Sequence, residues 1–140
     1  MFVSLIGMAV PGHNAALISK ARQRGRVYSI LLHKRDHPTA NEVFRRVQED
    51  IPTISLATVY NCLDALVNHG LITRVNFDRE PSRFCVNRSS HVHFKDKKTG
   101  TIHDISFKDG CQITDLLDLP DGIEASELEL TVRGSLPKGS

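Results

Sequence analysis

The stretch HPTANEVFRRVQEDIPTISLATVYNCLDALVNHG, residues 37–70, decides the fold. Its T-A-N-E segment is a capping box, in which the hydroxyl of Thr39 accepts a hydrogen bond from the amide of Glu42 at the start of a helix. Ser55 is a good N-cap for the next helix. Gly70 ends that helix, because glycine readily adopts the left-handed conformation that follows a helix. Two short helices joined by a tight connector are the helix-turn-helix pattern.

The second of these helices has two distinct faces. Its apolar stripe keeps a helical spacing and consists of Leu56, Val59, Leu63, Leu66 and Val67. The opposite face carries the hydrogen-bonding side chains of Thr58, Asn61 and Asp64, with Tyr60 beside them. Tyr60 lies off the apolar stripe, which argues against the alternative that it is a core aromatic residue. A polar face on the second helix is typical of a recognition helix that enters a DNA groove.

The flanking segments complete a winged helix. Asn14 is predicted to cap an earlier helix that runs to about Lys34 and carries the basic strip Lys20, Arg22, Arg24 and Arg26. After Gly70, residues 71–77 and 82–86 predict two strands around a polar turn. This hairpin, the wing, is basic, with Arg74, Arg79 and Arg83, as expected of a segment that contacts a DNA groove or phosphates. Residues 1–86 are therefore predicted as a winged-helix DNA-binding domain, with residues 1–13 as an N-terminal extension.

The rest of the chain predicts a small second unit, which makes the fold class α+β. Residues 87–90, NRSS, have the composition of a linker. Residues 91–140 predict a hairpin, a short helix around Cys111 to Leu117, and a strand from Glu127 to Val132 with one buried face. A unit of this size buries little surface alone. We expect it to be a dimerisation domain that pairs with a second copy.

Charge is distributed unevenly along the 140 residues. Residues 1–88 hold 12 Lys+Arg against 7 Asp+Glu, a balance of +5, and residues 89–140 hold 6 against 9, a balance of −3; together these give the net charge of +2. A basic first half favours a polyanionic partner such as DNA. A random imbalance is the alternative, and the charge balance by itself does not decide between the two.

The sequence gives two indications about the compartment. The apolar opening MFVSLIGMAV is only ten residues long, has no preceding basic residue, and is too short to span a membrane. We therefore expect a cytoplasmic protein. The three cysteines, Cys62, Cys85 and Cys111, form no CxxC pair. This argues against a disulfide framework and against a cysteine zinc knuckle.

A histidine pair opens the second unit. In a strand, side chains at i and i+2 project from the same face, so His91 and His93 are placed to hold one ion together. A carboxylate, Asp104, follows on the next predicted strand. A surface strand that happens to carry histidines is the alternative, and the pair by itself does not decide between them.

Five motifs resemble those of the ferric uptake regulator family over residues 15–134: H-P-T-A-x-E-V-F, S-L-A-T-V-Y, H-G-L-I, S-R-F and H-x-H. The details are most similar to its peroxide-sensing branch. Asn61 follows Tyr60 where iron-sensing members usually have arginine, and Asp104 stands where they usually have glutamate. The resemblance implies a homodimeric, metal-activated winged-helix repressor that binds a double-stranded DNA operator. It implies neither an enzyme nor a membrane partner.

The resemblance also implies one regulatory divalent metal per chain. Its ligands would be His37 from the HPTA motif, the pair His91 and His93, and Asp104. Imidazole and carboxylate suit iron(II) or manganese(II), with zinc possible. The aspartate ligand of the peroxide-sensing branch corresponds to Cys85 here, which is either a thiolate ligand or a small buried residue.

One family feature is missing from the sequence. The family's structural zinc normally binds two CxxC pairs, but the first pair corresponds to Asp96-Lys97-Lys98-Thr99 and the C-terminal pair is absent. We therefore expect no structural zinc. The dimer must then be held by apolar packing, and the predicted contributors are Ile102, Ile105, Phe107, Leu128, Leu130 and Val132.

The DNA contacts carry over by position. Arg24 matches the family's arginine in the first helix, and Tyr60 and Asn61 match its recognition-helix positions. Asparagine pairs bidentately with adenine, and a tyrosine ring packs against a thymine methyl group. Ser55 and Thr58, at the start of the same helix, are expected to bind phosphates.

The signal remains open between related alternatives. The peroxide-sensing branch implies oxidation of a ligand histidine, here His37 or His91, followed by release of metal and DNA. The alternatives are an iron-responsive repressor of the same family and a constitutive DNA-binding protein whose metal site has decayed. A small metal-dependent hydrolase would use the His/Asp cluster with a bound water. It leaves the basic helix-turn-helix unexplained, and no general base stands out.

Overall fold

The computed structural model describes residues 11–111, 113–125 and 129–137. The chain divides into two compact units, and the division falls between Val86 and Asn87. Residues 1–10 of the predicted extension lie outside the described residues. Among the described residues, none of the helices is long and apolar enough to cross a membrane.

Three helices build the first unit: α1 (Pro11–His33), α2 (Ala40–Gln48) and α3 (Leu56–Asn68). The prediction that Asn14 caps α1 is wrong, because the helix already begins at Pro11. Proline suits the first helical position, where its missing N–H would have no helical partner and its φ is already close to helical. Residues 11–13, assigned to the extension, are therefore helical.

The predicted caps of α2 and α3 are confirmed. The hydroxyl of Thr39 accepts from the amide of Glu42 at 3.3 Å. The hydroxyl of Ser55 accepts from the amide of Thr58 at 3.1 Å. Gly70 adopts a φ of +73°, which a residue with a side chain rarely takes, and so stops α3.

The core of the first unit lies where the three helices meet. Each helix contributes fully buried side chains, namely Val27 and Leu31 from α1, Val43 and Val47 from α2, and Val59 and Leu63 from α3. The wing follows as an antiparallel pair, β1 (Thr73–Val75) and β2 (Arg83–Cys85). Its buried Phe84 belongs to the same core, so the wing is anchored to the helices by apolar burial.

The second unit is a three-stranded sheet in the order β4-β3-β5. Its strands are β3 (His91–Asp96), β4 (Ile102–Ser106) and β5 (Thr131–Gly134). Strand β4 pairs with β3 antiparallel, as the predicted hairpin requires, whereas β5 pairs with β3 in parallel.

Two predictions for this unit need correction. The short helix predicted from Cys111 to Leu117 is a single 3-10 turn at Ile113–Leu116. The last strand begins at Thr131, which pairs with His93, and Glu129 and Leu130 precede it. The alternating pattern indicates which side chains share a face, but the position of β3 sets where pairing starts. Residues 127 and 128 of the predicted strand lie outside the described residues.

Apolar side chains of the second unit are unevenly buried. Ile102 is buried, but Ile105, Leu130 and Val132 are each more than two fifths exposed within the single chain. Leu128 lies outside the described residues. The unit therefore presents apolar side chains that its own sheet does not cover.

Candidate metal centre and nucleic-acid interface

Three potential ligands converge in the second unit. The Nε2 atoms of His91 and His93 lie 3.1 Å apart on β3. Each of them lies 3.5 Å from Oδ1 of Asp104 on β4. The cross-strand register places Asp104 directly opposite His93, and the two-residue period of β3 puts both imidazoles on one face.

Hydrogen bonds orient these side chains. Nδ1 of His91 lies 2.6 Å from the carbonyl oxygen of Ser89, which can only accept, so this nitrogen carries the proton. In the neutral ring, Nε2 then holds the lone pair that a metal requires. The amide of Asn87 donates to Oδ2 of Asp104 at 3.1 Å, which holds that carboxylate by its other oxygen.

The spacing of the two imidazoles fits a shared ion. Two nitrogens that bind one metal at about 2.0–2.1 Å lie roughly 2.8–3.4 Å apart as the angle at the metal goes from octahedral to tetrahedral. The observed 3.1 Å between His91 and His93 falls in this range. The imidazole and carboxylate donors suit iron(II), manganese(II) or zinc. The residues present in this unit therefore fit three ligands of one divalent metal.

The first unit contains two further potential metal ligands. His37 and Cys85 are both buried, and a ring nitrogen of His37 lies within 4.8 Å of the Cys85 sulfur. Cys85 is the last residue of β2. The segment that carries His37 lies beside the same strand, because the amide of Phe84 donates to the carbonyl of Pro38 at 3.0 Å. The fold thus brings together two predicted ligands that are far apart in sequence.

A hydrogen-bonded turn stands where the family's first CxxC pair would be. The carboxylate of Asp96 is buried and accepts from the amide of Lys98 at 2.9 Å and from the hydroxyl of Thr99 at 3.0 Å. The amide of Lys97 donates to the carbonyl of Gly134 on β5 at 2.9 Å. A carboxylate, two lysines and a threonine do not fit a tetrahedral zinc site, which takes thiolate and imidazole ligands.

The predicted base-reading residues are accessible. Tyr60 is 45% exposed, and its neighbour Asn61 is also exposed on α3. Arg24 is exposed on α1. Ser55 and Thr58 bond to each other through their hydroxyl oxygens at 2.9 Å while Ser55 caps the helix. The Ser55 hydroxyl thus serves as the predicted N-cap, whereas its bond to the Thr58 hydroxyl was not anticipated from the sequence.

Two of the three wing arginines have partners inside the protein. Nη2 of Arg74 donates to Oδ1 of Asp64 on α3 at 2.5 Å, and its guanidinium lies 5.8 Å from the centre of the Phe84 ring. Nη1 of Arg83 donates to the carbonyl of His37 at 3.1 Å. Basic composition suggested that all of them face DNA. The structure instead engages Arg74 and Arg83 in the fold and leaves Arg79 exposed.

Comparisons with known proteins point in one direction. A model of the ferric uptake regulator family matches residues 18–133. The peroxide-responsive repressor PerR of Staphylococcus aureus (strain USA300) is 32% identical over 85 residues, which are 61% of this chain and 57% of that protein. The match thus spans little more than half the length of that relative.

Two solved structures share the fold over nearly the whole chain. The Campylobacter jejuni peroxide stress regulator superposes with a TM-score of 0.70 at 26% identity, covering 88% of this chain and 92% of that one. A zinc-bound manganese uptake regulator superposes with a TM-score of 0.63 at 25% identity, covering 96% and 95% respectively.

Proposed function

Because the chain belongs to the ferric uptake regulator family, we propose that it is a metal-dependent, DNA-binding repressor that responds to peroxide. The observation that carries the proposal is the cluster of His91, His93 and Asp104, whose spacing suits one divalent ion. The same chain carries a winged helix with an exposed polar face on α3. A metal-ligand cluster together with a DNA-binding unit is what a metal-dependent repressor needs.

The regulatory ion takes its ligands from both units in this proposal. His91, His93 and Asp104 supply the second unit's share, and His37 and Cys85 supply the first unit's share. Bound iron(II) would supply the reduction of peroxide next to these side chains, whereas manganese(II) reacts poorly with peroxide. Because its ligands would come from both units, the bound ion would restrain the DNA-binding unit. Loss of the metal would release that restraint.

The DNA operator is bound through α3 and its surroundings. Asn61 reads an adenine edge and Tyr60 packs against a thymine methyl group, and both side chains are exposed for this role. Arg24 on α1 neutralises a phosphate. Ser55 and Thr58 offer the amino-terminal end of α3 to a phosphate, where helix amides and the helix dipole favour negative charge.

The second unit forms a homodimer. Ile105, Leu130 and Val132 are each more than two fifths exposed in one chain, and a second copy would remove these apolar side chains from water. Two winged helices related by a twofold axis would bind two half-sites of a palindromic operator.

The decisive experiment measures operator binding with iron(II) or manganese(II), each with and without peroxide and chelator. We expect both metals to promote binding, chelation to abolish it, and peroxide to abolish it only in the iron form. Release by iron withdrawal without any peroxide effect would assign an iron-responsive repressor instead. Binding that ignores both metal and chelator would overturn the metal-dependent function.

A further inference from the structure

Strand β2 holds the backbone that carries His37. Nη1 of Arg83 donates to the His37 carbonyl at 3.1 Å, and the amide of Phe84 donates to the Pro38 carbonyl at 3.0 Å. Thr39 and Arg83 form an antiparallel bridge. Three consecutive residues before α2 therefore lie along β2, and the contact to His37 itself comes from a side chain, that of Arg83.

His37 needs such support because its backbone has an unusual conformation. Its φ is +54°, in the left-handed region that residues with side chains seldom adopt. Such a conformation persists only where the surroundings fix it. On its amino-terminal side, Asp36 accepts two hydrogen bonds from Arg46, at 3.0 and 2.7 Å. On the carbonyl side, the contact is Arg83.

The position of the Arg83 side chain also has a cost in free energy. Its Nε atom is buried and has no hydrogen-bond partner among the described residues. A buried, unsatisfied donor is unfavourable, and native proteins keep few of them without a functional reason. The hydrogen bond from the same guanidinium to the His37 carbonyl provides a reason.

We propose that Arg83 is a positioning residue for the regulatory metal. Arg83 does not bind the ion; it fixes the backbone of His37 so that the buried imidazole is presented next to Cys85, and it thereby sets the metal affinity. This inference rests on the proposed function, since it takes His37 to be a ligand. Residues that orient metal ligands typically change metal affinity by about 10- to 100-fold when they are removed.

The test compares Arg83→Gln with Arg79→Gln, a matched control that removes the same charge from the exposed wing turn. Manganese(II) affinity is measured by calorimetry on the 140-residue chain without DNA, and metal-free folding is checked by circular dichroism and thermal midpoint. We expect Arg83→Gln to bind manganese(II) about 10- to 100-fold more weakly. Arg79→Gln should bind it as the wild type does. Arg83→Lys keeps one donor but loses the planar fork, so its loss should be smaller.

A mutant cycle with His37→Ala separates positioning from general structure. If Arg83 acts through His37, Arg83→Gln should cause no further loss of affinity in the His37→Ala protein. Should Arg83→Gln fail to fold, Arg83→Lys takes its place in the same cycle. An unchanged affinity in a folded Arg83 variant, or an equal loss in the His37→Ala background, would overturn the inference. A wild-type protein that binds no manganese(II) would overturn the proposed function as well.

Discussion

Arg74 on the wing and Asp64 on α3 form an ion pair in which Nη2 lies 2.5 Å from Oδ1. The pair joins the wing to α3, the helix that is proposed to read the operator. Both side chains are more than two fifths exposed, so solvent screens the pair and its contribution to stability is about 0–1 kcal/mol. While Arg74 is bonded to Asp64, the negative carboxylate also offsets part of the positive charge that Arg74 would present to a DNA phosphate.

Asp64→Asn should therefore strengthen nonspecific DNA binding without unfolding the protein. The freed guanidinium of Arg74 can pair with one phosphate, which steepens the dependence of log affinity on log salt concentration by about one unit. Fluorescence anisotropy over a salt series measures both effects. Asp118→Asn in the second unit is the matched control for the charge change. Equal slopes for the two variants would contradict the competition between Asp64 and DNA.

Asn61→Arg should change which operator is preferred more than it changes overall affinity. Asparagine pairs with adenine, whereas arginine prefers guanine, and a good bidentate contact discriminates by about 1–3 kcal/mol. Binding to operators with adenine or guanine at each position measures the change. Ala57→Arg, an exposed position one turn earlier on α3, controls for added charge. A uniform change on every sequence would show that Asn61 reads no base.

The parts that sequence predicted well depend on local chemistry. The caps at Thr39 and Ser55 follow from hydroxyl groups three residues before an amide, and the pairing of His91 with His93 follows from the two-residue period of a strand. Asp104 joins them because a hairpin places the next strand directly opposite.

The parts that sequence missed depend on partners far along the chain. Arg83 bonds to His37, 46 residues away, and no local pattern indicates whether a wing arginine faces DNA or the protein. The start of β5 at Thr131 likewise depends on where the parallel neighbour β3 has backbone N–H and C=O groups available for pairing. Alternation of polar and apolar residues predicts a face of a strand but not its partner.

Asp96→Asn should destabilise the second unit at neutral pH and much less in acid. The amide hydrogen bond from Lys98, with help from the Thr99 hydroxyl, outweighs burial and lowers the pKa of Asp96. The folded state thus binds this proton less readily than the unfolded state, so the stabilisation is present above the ordinary carboxyl pKa of about 4 and is lost below it.

Urea unfolding of wild type and Asp96→Asn at several pH values checks this expectation. The difference in the free energy of unfolding should shrink as the pH falls below about 4. Asp109→Asn, an exposed aspartate in the same unit, is the control and should show no such trend. A constant difference across the pH range would mean that the charge of Asp96 does not hold the turn.

Val132→Glu should convert the proposed dimer into a monomer. Val132 is 44% exposed in the single chain, and a second copy that covered it would bury an unpaired carboxylate in the variant. We expect association to weaken at least ~10-fold, which corresponds to about 1.4 kcal/mol. Sedimentation velocity measures it. Leu32→Glu, at a 39% exposed position of α1, is the control and should remain dimeric.

Peroxide should release the iron-loaded protein from its operator and add oxygen to the side chains of the metal centre. We expect the addition at a ligand histidine, His37 or His91, at Cys85, or at both. At Cys85, the thiolate sulfur attacks one peroxide oxygen, the O–O bond breaks and hydroxide leaves. The sulfur loses two electrons and becomes a sulfenic acid, which thiols reduce. Peptide mass spectrometry after one equivalent of peroxide, beside a DNA-binding assay, locates the oxygen.

Cys62 provides an internal control for this reaction. Burial raises the pKa of the Cys62 thiol against the opposing charge of Arg24, so the thiol stays protonated and should remain unmodified. In Cys85→Ser, the release from the operator that is caused by sulfenic acid formation, and that added thiols reverse, should be lost. The release that is caused by histidine oxidation should remain. The manganese form should stay on DNA with its histidines intact. An iron-loaded protein that remains unmodified and DNA-bound after peroxide would remove the peroxide response and leave iron supply as the signal.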